Sequence, residues 1–235
     1  MATATQLHLH EVVDIVGQGA RPYMEENVVT FDADRTADSA LRLFGTWEVV
    51  GATGRWPQVV NIWELLDGWE GWRRLCESTN LKRAENAALG EWWDDAFRKR
   101  TGGFDRLLQA TPKAPTLDQL VDDGVHGSMF VHEITEVRPG SGERYLRAVR
   151  EEWSPIAAEH GHHLVGSWEV LLGDTEVVTV WATDLDGHLS LQQAAAEDER
   201  IATWRRRSRK WTTRWHEELM TPHPATPLAS PRSEG

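Results

Sequence analysis

The chain is poor in cysteine, tyrosine and positive charge. Cys76 is the single cysteine in 235 residues. No disulfide can form within the chain, which fits a reducing compartment such as the cytoplasm. No apolar run approaches the roughly 18 residues of a membrane span. The start, MATATQLHLHEVVDIV, lacks a basic segment leading into an apolar one, so no signal peptide is expected. Lysine and arginine number 25 against 37 acidic residues, a formal charge of −12. Such a surface repels polyphosphate, which argues against nucleic acid and anionic membranes as partners. The motifs of P-loop, dinucleotide-binding, zinc-finger and serine-hydrolase proteins are also missing.

Tryptophan is abundant instead, with 13 residues. Each indole buries a large area and carries one N–H, so tryptophans suit deep cores and aromatic-lined cavities. Several recur in register. LFGTWEVVGATGRWPQVVNIWELLDG (43–68) reads almost as LVGSWEVLLGDTEVVTVWATDLDG (164–187). His10 matches His132 and Tyr23 matches Tyr145, both 122 positions on. Trp47 matches Trp168 at 121, Trp63 matches Trp181 at 118, and Trp93 matches Trp204 at 111. The offset only shrinks, as a duplication with shorter loops in its second copy requires.

Each copy reads as strand, helix, strand, strand, helices. The helical stretches fall at about 21–38 and 142–160, with Pro22 suited to a first turn. ENVVTF, in the first of them, reads equally as strand. Valine- and tryptophan-rich strands follow at 43–50 and 58–65, and at 164–172 and 176–182. Trp93, Phe97, Arg100, Phe104 and Leu108, like Trp204, Ser208, Trp211, Trp215 and Leu219, have the spacing of one helix face. The expected organisation is a first repeat over 1–109, a linker over 110–126, a second repeat over 127–220 and a disordered tail over 221–235. A unit of this kind leaves one apolar sheet face uncovered, and a second copy would cover it.

The first strand running into a Pro-Gly turn in EITEVRPGSG, the glycine before the aromatic strand in LVGSWEV, the strands VVNIWEL and VVTVWAT, and the helices GEWWDDAF and IATWRRRS together resemble the NIPSNAP-like branch of the dimeric α+β barrel superfamily. The resemblance covers nearly the whole chain, twice. It implies an α+β fold of two tandem ferredoxin-like units, their sheets paired into a pseudo-dimeric barrel. That superfamily holds cofactor-independent monooxygenases, haem-degrading enzymes, isomerases, cyclases, dehydratases and proteins without known reaction. It supplies no shared catalytic motif, so no catalytic residue is carried over.

The candidate residues come from the strands. In VVNIWEL, Val60, Ile62 and Glu64 face one way, and Val59, Asn61 and Trp63 the other. In the second copy Thr179 and Trp181 share the mixed face. A mixed polar and aromatic face suits a small apolar or aromatic ligand, and equally a core or interface. Trp47, Trp63, Asn61, Trp168, Trp181, Thr179, Tyr23 and Tyr145 are the candidate ligand contacts. His132 and His10 are the candidate proton-transfer groups, an imidazole being poised near neutral pH. A histidine satisfied within a sheet is the competing account, and Glu11 cannot simply pair with its strand neighbour His10.

HGHH (160–163) with His132 offers imidazoles to a metal, but lacks the ligand spacing of known sites and is replaced by DSAL in copy one. Histidine is also favoured at a helix C-terminus, so no metal is assigned. Glu48 and Glu169 follow repeated tryptophans and read as solvated. RRRSRK (205–210) reads as a solvated helix face, and Cys76 has no nucleophile context.

These observations point to a small-molecule enzyme without an organic cofactor, acting by oxygenation or by an isomerase, cyclase or dehydratase type of proton transfer. The rival is a non-catalytic binding or assembly protein. A haem- or copper-handling protein is a weaker third. Oligomerisation of the pseudo-dimer stays open.

Overall fold

A computed structural model describes residues 6–35, 40–85 and 87–231. The chain is α+β and divides into two compact units. Unit 1 comprises Met1–Leu108 and His223–Pro227, and unit 2 comprises Gln109–Pro222 and Leu228–Gly235.

Unit 1 carries β1 (Leu7–Ile15), β2 (Leu41–Val49), β3 (Gln58–Leu65) and nearly all of β4 (Arg100–Ala110), in the order β4-β1-β3-β2. β3 lies antiparallel between β1 and β2, so Asn61 is opposite both Glu11 and Thr46. Side chains on both faces of β3 are buried, which suits its valine-rich sequence. Unit 2 carries β5 (Met129–Val137), β6 (His163–Val170), β7 (Glu176–Thr183) and β8 (Thr212–Pro222), in the order β8-β5-β7-β6. Here Thr179 is opposite Glu133 and Ser167.

In the repeated strand segments Gly45-Thr46-Trp47 and Gly166-Ser167-Trp168, the glycine makes room for the tryptophan two residues on. A Cβ on Gly45 would lie 2.2 Å from the Trp47 ring, and one on Gly166 would lie 1.7 Å from the Trp168 ring. Each site coincides with a register shift, between Leu43 and Gly45 and between Leu164 and Gly166.

The expected helix over 21–38 is a continuous run of Ala20–Tyr23, a π-helical Met24–Val29, and Thr30–Arg35. ENVVTF is therefore helical, because burial of Met24 and Val28 outweighs the strand preference of its valines. The wider π turn leaves the Asn27 carbonyl to accept from Trp92 Nε1 at 3.1 Å, which ties this run to the helix Ala87–Lys99. In unit 2 the run Gly142–Ala148, Val149–Trp153 and Ser154–Ala158 again has a π-helical middle.

Two expectations are corrected. The helical faces read from Trp93 to Leu108 and from Trp204 to Leu219 end early: the helices stop at Lys99 and Ser208, and β4 and β8 follow. A spacing of four residues fits one face of a helix but also one face of a strand. Gly103 lies so close to β1 that a Cβ would be 2.1 Å from the Val12 carbonyl, at a φ of +140° suited to glycine. The stretch from 221 is also no loose tail as far as Pro231. The His223 N–H donates to Thr46 O at 3.0 Å, Thr226 bonds the Thr46 backbone twice, and Leu228 is fully buried. Residues 232–235 lie outside the described residues. The stretch read as a linker contains the helix Leu117–Asp122, closed by a Thr116/Gln119 capping box.

Candidate functional site

In unit 2 the centre is Glu133, which is nearly buried on β5. Its Oε2 accepts from Trp181 Nε1 at 2.7 Å and from the Thr179 hydroxyl, and its Oε1 accepts from Trp215 Nε1 at 2.9 Å. These donors arrive from β7 and β8, the two neighbours of β5. Tyr145 comes from the helix above. Burial, then the Glu133 charge, push its phenol above the ordinary range, while a bond with Thr135 opposes this, so it remains a protonated donor. Tyr145, Trp204 and Trp153 form a stack, with centroids 6.2 and 5.9 Å apart and the two indoles within 9° of parallel. Val131, Val177, Leu146 and Val149 complete the apolar surround.

A second carboxyl shares this face. Glu217 on β8 is directly opposite Glu133 and receives Gln192 Nε2 at 3.1 Å. Burial, then repulsion by Glu133, raise its pKa to about 7, while Gln192 and Arg205 oppose the shift. A carboxyl titrating there exchanges protons readily at neutral pH.

Unit 1 builds a related arrangement with different donors. Glu11 on β1 accepts from Trp63 Nε1 at 2.8 Å and Asn61 Nδ2 at 3.2 Å, and Asn61 Oδ1 accepts from Thr46 Oγ1 at 2.7 Å. Burial, then the nearby Asp105, raise the Glu11 pKa against the pull of Trp63, Asn61 and Arg100. Burial likewise raises Asp105, with Arg100 opposing. Tyr23 is raised above the ordinary range by burial and then by Glu11, with Arg100 and Asn61 opposing. Phe31 packs edge-on against Trp63 at 5.7 Å. Arg100 lies over the Trp93 ring at 4.3 Å, and unit 2 sets Trp215 on its glutamate instead.

The structure therefore gathers Trp63, Asn61 and Tyr23 around Glu11, and Trp181, Thr179 and Tyr145 around Glu133. It does not bring the other named residues to these faces. His10 and Trp47 align with Ile62 and Val60 on the reverse face, and His132 and Trp168 with Val180 and Val178. His132 Nδ1 is 2.8 Å from the buried Glu218, its register partner on β8, and His10 meets Phe104 at 6.5 Å. Sequence reading missed Glu11 and Glu133 as site groups and missed Asp105 and Glu217 entirely. The latter two sit on strands whose spacing reads as helix. Their signal was alternation: Trp215, Glu217 and Leu219 share one strand face.

The histidines of HGHH are spread over a turn. His160 Nδ1 is 2.9 Å from Ser190 Oγ, while His162 is buried against His188. Among the described residues, no three His, Cys, Asp or Glu side chains form a metal-holding group. Glu169 is raised by burial and then by Glu143. The arginines of RRRSRK pair outward, Arg206 with Glu199 and Arg207 with Glu152. No described helix is long and apolar enough to cross a membrane.

No protein-family profile matches the chain, and no curated protein sequence matches it. Solved structures do. An anthrone oxidase-like protein superposes with a TM-score of 0.63 at 13% identity, over 98% of each chain. A "putative monooxygenase" from Fusobacterium nucleatum superposes with a TM-score of 0.60 at 10% identity, over 94% of each chain. Both share the fold of this chain over nearly its whole length. A NIPSNAP family protein from Agrobacterium tumefaciens aligns at 28% identity with 43% of this chain and 98% of its own, at a TM-score of 0.37.

Proposed function

We propose that the protein is a small-molecule enzyme of the cofactor-independent oxygenase type, built from two tandem ferredoxin-like units acting as a pseudo-dimer. The observation that carries this reading is the Glu133–Glu217 pair, with Glu133 close enough to Tyr145 of the Tyr145–Trp204–Trp153 stack to act on its phenol. An aromatic substrate with an acidic O–H, or a C–H flanked by rings, would rest on the stack. Glu217, raised to about 7 by burial and then by Glu133, removes the proton, while Glu133 holds the wall donors. The resulting carbanion or phenolate is electron-rich enough to reduce dioxygen. For a methylene substrate, one methylene and one dioxygen give one ketone and one water. Both C–H bonds and the O–O bond break, a C=O bond and the two O–H bonds of water form, and both electron pairs come from the substrate. The names of the full-length structural neighbours, a monooxygenase and an anthrone oxidase-like protein, are compatible with this class.

His132 and His10 remain second candidates for proton transfer from the reverse face. Full turnover by His132→Ala and His10→Ala would remove them. The test of the main reading is oxygen uptake with anthrone and with polycyclic phenols, after tryptophan-fluorescence titration has found a ligand. Uptake should rise with pH about a midpoint near 7 and fall at least 100-fold in Glu217→Gln, the scale of one general base. Binding without oxygen uptake would favour the alternative, a non-catalytic ligand-binding or assembly protein. The engagement of both Trp181 and Trp215 N–H groups by Glu133 supports that second reading, since it is also how a structural carboxylate is satisfied.

A further inference from the structure

We infer that unit 2 carries a two-histidine site for a late first-row divalent metal ion, formed by His162 Nε2 and His188 Nδ1. The site is distinct from the carboxylate pair and does not depend on the proposed reaction.

The turn before β6 sets the first ligand. Gly161 adopts φ +70°, which brings His162 back beneath its own turn, and the side chain is almost completely buried. His162 Nδ1 is 3.1 Å from the His160 carbonyl. A carbonyl only accepts, so this nitrogen carries the proton and Nε2 keeps its lone pair. A ring N–H held by a backbone carbonyl is the support that metal-binding imidazoles characteristically have. Nε2 is buried and has no hydrogen-bond partner.

The second ligand comes from the helix Leu185–Ala194. Asp184 caps this helix by accepting the Gly187 N–H at 2.7 Å. Gly187 packs against the turn so closely that a Cβ would lie 2.8 Å from the His160 carbonyl. That approach seats His188 beside His162, and His188 Nδ1 is likewise buried without a partner. The two ring centroids are 5.8 Å apart, with planes inclined at 50°. An ion about 2.1 Å from a ring nitrogen lies about 3.2 Å from that ring's centroid, so rings sharing one ion have centroids roughly 5 to 6.4 Å apart. The observed separation falls inside this range.

Two imidazoles with neither thiolate nor carboxylate suit copper(II), nickel(II) or zinc(II) rather than calcium or magnesium, and copper(II) should bind most tightly. Two protein ligands leave positions open to water or an exogenous donor. Both histidines belong to copy two: copy one has DSAL where copy two has HGHH, and Trp69 and Glu70 where the LDG sequence leads into His188.

The test is calorimetric titration of chelator-treated full-length protein with copper(II) and zinc(II), with electron paramagnetic resonance of the copper form. One ion per chain should bind, the copper spectrum should show coupling to two imidazole nitrogens, and His162→Asn and His188→Asn should each weaken binding at least tenfold. Circular dichroism of the variants separates lost binding from lost folding, and the wild-type spectrum decides independently if a variant fails to fold. Failure of the wild-type protein to bind either ion would overturn the assignment. So would unchanged affinity in the folded double variant, or loss of binding in His132→Asn alone.

Discussion

Glu133 and Glu217 are register partners on β5 and β8, yet they are served unequally. Three donors point at Glu133, whereas Glu217 receives the Gln192 amide and titrates at about 7. Burial, then the charge of Glu133 opposite, raise the less well-served carboxyl.

The first prediction concerns that coupling. Glu133→Gln removes a charge but keeps the shape of the side chain. The Glu217 pKa should then fall from about 7 towards 4.5 without reaching it, because burial is the larger cause and survives the substitution. Carbon-13 NMR titration of the Glu217 carboxyl measures this directly. An unmoved pKa would mean that Glu133 carries no charge near Glu217.

Half of this site was legible in the sequence. The alternation of VVNIWEL and VVTVWAT places Asn61 with Trp63 and Thr179 with Trp181, and the repeat places a tyrosine near each pair. The other half was hidden by period ambiguity. Trp211, Trp215 and Leu219 are four apart, a spacing shared by helix and strand, so β8 and its Glu217 read as helix. Glu11 and Glu133 directly follow His10 and His132 in the sequence, and the histidines draw the attention there. Strand geometry sends those histidines to the reverse face, where His132 meets Glu218. No local pattern announces a bond such as Trp215 to Glu133, between residues 82 apart.

The second prediction tests what the indoles contribute. Trp181 is nearly fully buried and donates to a carboxylate. Trp181→Phe keeps most of the ring and removes the N–H. The cost should be about 1.5–3 kcal/mol, the usual worth of a hydrogen bond to a charged group. Urea denaturation reads it. The loss should shrink in a Glu133→Leu background, and equal losses in both backgrounds would show that the bond contributes nothing.

A third prediction follows from the Gly-x-Trp geometry. Gly45→Ala and Gly166→Ala each drive a methyl into an indole ring and should cost about 1–3 kcal/mol or more by overpacking. Because the obstacle is a side chain, Gly166→Ala should be partly rescued by Trp168→Leu. Thermal melts of the single and double variants decide this, and strict additivity would argue against the steric account.

The fourth prediction is a pH dependence. His8 is buried, and desolvation followed by Arg42 lowers its pKa from 6.5 to about 3. The unfolded chain therefore takes up this proton first. Stability is unaffected by His8 above pH 6.5 and is lost as pH falls from there towards 3, at up to about 1.4 kcal/mol per pH unit. Glu217, raised to about 7, acts in the opposite sense: its cost to the fold is relieved between pH 7 and 4.5. The His8 share is isolated by comparing the wild-type protein with His8→Gln in urea at pH 7, 6, 5 and 4. The variant should lose stability less steeply on acidification, and parallel curves would remove His8 from the account.

The last prediction concerns the segment His223–Pro227 of unit 1. The Thr226 hydroxyl accepts the Thr46 N–H at 3.2 Å and donates to the Thr46 carbonyl at 2.9 Å, so one side chain satisfies both backbone groups of a fully buried residue. Thr46 in turn donates to Asn61, which donates to Glu11, so this segment is the outermost link of a chain of bonds ending on the unit 1 carboxylate. Thr226→Val keeps the shape and strands the buried Thr46 N–H, which should cost about 1–3 kcal/mol. Thr226→Ser keeps the hydroxyl and should cost much less. If valine and serine are equally tolerated in chemical denaturation, the hydroxyl is not what fastens the segment. If valine alone is costly, the residues read as a loose tail belong to the fold, and loss of them should also weaken the hold of Asn61 on Glu11. That weakening would appear as an upward shift of the already raised Glu11 pKa, since removing a donor that lowers it leaves burial less opposed.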